Sequence, residues 1–106
     1  MTIVLRSERS NTDTRYLSAT LNQQGDLVFA GQDLGPGVKA IFGYSEYEWA
    51  WTVKAASLPA FAAALGHPQD LLQALEANFS GDNAAKLLDF METHGIPHES
   101  WSRIGD

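Results

Sequence analysis

The chain's 106 residues and 11.6 kDa give room for one domain, residues 1–106, with a core that needs no cross-links, and no room for a second. With 44% hydrophobic and 19% charged residues it has the composition of a folded globule, and without cysteine it has neither disulfides nor thiolate metal ligands. A net charge of −6 and a pI near 4.8 argue against direct binding to nucleic acid or an anionic membrane, which need clustered Lys and Arg, and point to a basic partner.

The acidic surplus is uneven. Residues 1–56 hold five Lys/Arg against six Asp/Glu, and residues 57–106 hold two against seven. The apolar start MTIVL meets Arg6, Glu8 and Arg9 too soon for a secretory signal, and no stretch approaches the roughly 20 apolar residues of a membrane span, so a cytoplasmic location is expected.

In chain order, TIVLR (residues 2–6) reads as a short strand followed by the polar cluster SERSNTDT. YLSATL (16–21) alternates Leu17, Ala19 and Leu21 against Tyr16, Ser18 and Thr20, and NQQGD is a connection of hairpin length leading to the strand LVFAG. GQDLGPGV then reads as a glycine-rich turn, with one helical turn expected over Val38 to Phe42. In EYEWAWTV and the lysine after it, Tyr47, Trp49, Trp51 and Val53 share one face and are expected to anchor the core, while Glu46, Glu48, Ala50, Thr52 and Lys54 line the other.

The second half changes to helical period. Ser57 is placed to cap a helix from Leu58 to Leu65, ended by Gly66, with Leu58, Phe61, Ala62 and Leu65 on one stripe. A second helix after HPQD carries Leu71, Leu72, Leu75 and Phe79, and a third, from Asp82 or Asn83 to His94, carries Ala84, Leu87, Leu88 and Met91. ESWSRI is a last strand or an extended lid, with Trp101 expected to close over the core. The fold class is α+β: an antiparallel sheet from the N-terminal half with about three C-terminal helices on one face.

No motif assigns a reaction. The glycine-rich segment matches neither GxxxxGK[ST] nor GxGxxG, and a backbone turn is the better reading. Asp33 with Glu46 or Glu48 would be the carboxylates of a small hydrolase, though a solvated polar face is the better reading of the two glutamates. His94 and His98 are separated by Gly95 and Pro97, which break the helix that would align them on a metal, and His94 fits a helix C-terminus better. Neither a metal nor a cofactor is expected.

The segments GQDLGPGV, EYEWAWTV and WSRIGD resemble those of a group of small uncharacterised bacterial proteins, over most of the chain. In broad character the chain is also similar to immunity proteins of contact-dependent growth inhibition and other polymorphic toxin systems. That resemblance implies a non-enzymatic cytoplasmic inhibitor that binds and occludes a toxin domain, often a nuclease. Its acidic patches, Glu46 with Glu48 and Asp89 with Glu92, are the expected partner-binding residues. The alternatives are a small-molecule or regulatory binding module built on the GQDLGPGV turn and the hydrolase above.

Overall fold

The computed structural model describes residues 1–10, 13–36 and 46–105. Five strands, β1 (Thr2–Ser10), β2 (Asp13–Leu21), β3 (Leu27–Leu34), β4 (Glu46–Val53) and β5 (Glu99–Gly105), form one antiparallel sheet in the order β1-β2-β3-β4-β5. Between β4 and β5 lie the helices α1 (Leu58–Ala64), α2 (Leu71–Phe79) and α3 (Leu87–Thr93), with 3-10 segments at Ala55–Ser57 and Gly81–Lys86. The architecture is α+β, and no helix among the described residues is long and apolar enough to cross a membrane.

Strands reach further than their apolar alternation suggests. β1 runs to Ser10 and β2 begins at Asp13, pairing Ser7 with Tyr16, Glu8 with Arg15 and Arg9 with Thr14. This outer half of the hairpin is polar, so it carries no period-2 apolar signal although its ladder is intact. Likewise GQDL is the second half of β3, and only Gly35, at φ 124°, begins the turn. The helical turn expected over Val38 to Phe42 lies outside the described residues.

The β2–β3 turn is built by Asn22, whose Oδ1 accepts from the backbone N–H of Gln24 (3.0 Å) and Asp26 (2.9 Å) around Gly25 at φ 80°. Asp26 in turn accepts from the Ala55 N–H at 2.9 Å and lies 3.5 Å from the Lys54 ammonium, tying the start of β3 to the end of β4.

Register places Leu17, Ala19, Leu21, Leu27, Phe29 and Val53 on one face of the sheet, and the helices cover it there. Phe61 of α1 and Leu72 and Leu75 of α2 are buried beneath them, as are Leu87 and Met91 of α3. A run of rings crosses the layers: Phe29 to Phe61 (6.2 Å), Phe61 to Phe90 (5.8 Å) and Phe90 to Phe79 (5.1 Å, edge-to-face).

Caps and closing bonds account for three of the six α-helix ends. Asp70 accepts from the Gln73 N–H (3.1 Å) at the start of α2. At α1 and α3 the chain leaves through 6→1 and 5→2 bonds, His67 to Ala62 with Gly66 to Ala63, and Ile96 to Met91 with Gly95 to Glu92. Ser57 stands before α1 but makes no side-chain cap, because the 3-10 turn already holds it in helical conformation. The expected third helix is divided: 3-10 winding over Gly81–Lys86 brings residues three apart into line, so Ala84 and Leu87 both face inward.

Candidate functional site

The two faces of β3 and β4 separate the residues that the sequence brings together. Opposed residues of antiparallel strands share a face. Asp33 pairs with Tyr47 on the helix-facing side, whereas Gln32 pairs with Glu48 and Leu34 with Glu46 on the open side. The backbone of the sheet thus lies between Asp33 and both glutamates, and they do not form the carboxylate pair a hydrolase would need.

On the open face the two glutamates are neighbours. Gln32 Nε2 donates to Glu46 Oε1 at 3.2 Å and, at greater length, to Glu48 Oε1 at 3.4 Å. The neighbouring carboxyls shift each other's titration, chiefly lowering the pKa of Glu46 and raising that of Glu48. Arg103 stands across from Glu48 on β5 and favours the charged form of both. Beside them, one row of the ladder, Ser18, Ala30 and Ala50, is small, with Val4 and Trp101 at its two ends.

Trp101 does not close over the core. It is 54% exposed, because β5 is an edge strand and Trp101 faces the side opposite the helices, over Ala50. Asp89 and Glu92 are both exposed, one turn apart on α3. Asp70, Glu76 and Asp82 are exposed as well, and the basic residue of this helical layer is Lys86. Glu46/Glu48 and Asp89/Glu92 therefore belong to opposite layers of the molecule.

On the helix-facing side a second group assembles that sequence periodicity does not reveal. A bulge at Leu5 shifts the β1 register, so that Arg6 pairs with Leu17 and joins Asp33 on this side. A cleft of ≈ 220 Å³ opens between the sheet and the 3-10 segment, with Arg6, Asp33, Trp49 and Trp51 on one side and Ala84 and Leu88 on the other. Burial raises the Asp33 pKa against the pull of Arg15 and Arg6, while Arg6 bonds Glu8 at 3.0 Å. The N–H groups of Arg6 Nε and Trp49 Nε1 are buried without a partner among the described residues.

The aromatic face of EYEWAWTV is only half in the core. Val53 is buried, whereas Tyr47, Trp49 and Trp51 are half-buried and form a ladder with ring centroids 5.4 and 6.2 Å apart. The Trp49 indole lies against Gly31, its opposite residue, and a Cβ there would clash with the ring. Gly31 is thus the seat of Trp49 rather than part of a turn.

His94 ends α3 with its ring 4.4 Å from that of Phe90, and His98 places Nδ1 3.0 Å from the Ile96 carbonyl oxygen. Among the described residues no three His, Asp or Glu side chains are grouped to hold a metal. Compared with family models, curated proteins and solved structures, the chain matches none.

Proposed function

We propose that this chain is an immunity-type protein that binds a basic toxin domain and covers its working surface. The reading is supported by the segregation of charge: across the helical layer Asp70, Glu76, Asp82, Asp89 and Glu92 are all exposed against one lysine, while the apolar stripes of the same helices turn inward. Such a surface speeds encounter with a cationic partner. Of the two acidic patches, Asp89/Glu92 is the better docking surface, because Glu46 and Glu48 both accept from Gln32 and Arg103 stands opposite Glu48.

The test is capture of a basic toxin domain encoded beside this chain's gene, followed by paired charge reversal. Asp89→Lys with Glu92→Lys should slow association severalfold at about 0.15 M salt, where the Debye length is roughly 8 Å, and leave the melting midpoint unchanged. Glu46→Lys with Glu48→Lys should do less. Affinity unchanged from the native chain in both double variants would remove the electrostatic mechanism.

The cleft beside Asp33 favours a second reading, a small-molecule binding module. It places opposite charges, Arg6 and Asp33, beside two indole faces, an arrangement suited to a small planar ligand with a donor at one end and an acceptor at the other. Saturable quenching of tryptophan fluorescence by a planar heteroaromatic fragment, lost in Asp33→Ala, would support it; a fragment set giving no saturation would end it.

A further inference from the structure

The two edges of the sheet are built differently. β1 carries the bulge at Leu5 and, beyond it, Arg6, Glu8 and Arg9, features that discourage a further strand from pairing. β5 has no bulge and no proline, and every side chain from Glu99 to Ile104 is exposed. Its two large apolar side chains, Trp101 at 54% and Ile104 at 48%, are among the most exposed large hydrophobics of the described residues.

The sequence of this edge is self-complementary when read antiparallel. In ESWSR, residues 99–103, a negative charge and a positive charge stand at equal distances from Trp101, with a serine on either side between. Glu99, Trp101 and Arg103 lie on the open face, opposite Thr52, Ala50 and Glu48, and Ser100 and Ser102 lie on the other.

We propose that β5 pairs with the β5 of a second copy of this chain, antiparallel about a two-fold axis through Trp101, to make a continuous ten-stranded sheet. In that register Glu99 faces Arg103 of the other copy, twice. The two Trp101 rings meet at the axis, and Ser100 faces Ser102 of the other copy. The exposed pair Glu99 Oε1 to Lys54 Nζ, 3.7 Å apart, is too weak to hold Glu99 back. A single strand pair buries less than the roughly 1,200–2,000 Å² of a standard interface, so the dimer is weak and reversible.

Sedimentation equilibrium across a concentration series tests this on the intact chain. The expected result is a monomer–dimer equilibrium that weakens about tenfold in Glu99→Arg and in Arg103→Glu, where like charges stand opposite, and is restored in the double variant, which swaps the pairs. Because the native chain lacks cysteine, oxidation reads the register directly: Ser100→Cys mixed with Ser102→Cys should cross-link, while each alone, with α-carbons roughly 7–8 Å apart on the diagonal, should not. A monomer throughout the series overturns the proposal. So do dimers indifferent to both single reversals, or either cysteine variant cross-linking alone as fast as the mixture.

Discussion

The helix-facing side of the sheet is two environments on the same strands. At one end, Leu27, Phe29 and Val53 are fully buried, Phe29 against Phe61 of α1; at the other, Arg6, Glu8, Arg15 and Asp33 share the face with half-buried Trp49 and Tyr47. The change takes only four residues along β3, from Phe29 to Asp33. It shows that in this fold the extent of the helical layer, and not strand composition alone, decides which aromatic side chains belong to the core.

The largest effect that would break this contrast is truncation at the dry end. Phe29→Ala removes a ring packed on Phe61 and should cost about 3–5 kcal/mol by denaturant unfolding, close to the whole stability of a small domain. Trp49→Ala should cost clearly less, since Trp49 is half-exposed. Equal costs would mean that the two ends form one core.

A smaller effect sharpens the boundary itself. Gly31→Ala drives a methyl group into the Trp49 indole and should destabilise by about 1–3 kcal/mol, and the loss should shrink in a Trp49→Leu background, where the ring is gone. A double-variant cycle with no coupling would show that Trp49 is not seated on this glycine.

The smallest effect belongs to the wet end. Because burial raises the Asp33 pKa, the folded chain holds that proton more tightly than the unfolded chain. The stabilisation is complete in acid and is lost as pH rises from the ordinary carboxylate range through the raised value. Ionised Asp33 therefore opposes folding at neutral pH. Asp33→Asn should raise the melting midpoint at pH 7 and leave it unchanged in strong acid; a lowered midpoint at pH 7 would show that its attraction to Arg15 and Arg6 outweighs burial.

The dry end was the readable part of the sequence. The alternation of Leu17 with Ala19 and the stripes Leu72–Leu75–Phe79 and Ala84–Leu87–Met91 identify buried faces because water-excluding contacts impose a period on composition. Glu46 and Glu48 were likewise placed on one face by counting in twos. What escaped was set by geometry that leaves little trace in composition. The bulge at Leu5 turns Arg6 inward, Gly31 is the strand residue over which the Trp49 indole lies, and Trp101 is exposed because it sits on an edge strand and faces away from the helices. Asp33 and Glu48 both have raised pKa values, one from burial and one from a carboxyl neighbour, and neither environment is visible before the strands are in register.

The insertion of all three helices between two adjacent strands also fixes an order of events. The hairpins β1–β2 and β2–β3 join near neighbours in sequence, whereas Thr52 meets Glu99 only after the whole helical segment has compacted and brought its ends together. Chain synthesis runs in the same direction, so β4 exists as a temporary outer edge, with its indoles uncovered on that flank, until β5 arrives. Pairing of β4 with β5 is therefore expected to come last, with the Glu99–Gly105 amides gaining protection after those of β2 and β3 in pulsed hydrogen exchange, and a chaperone acting on this chain would find its target in that interval.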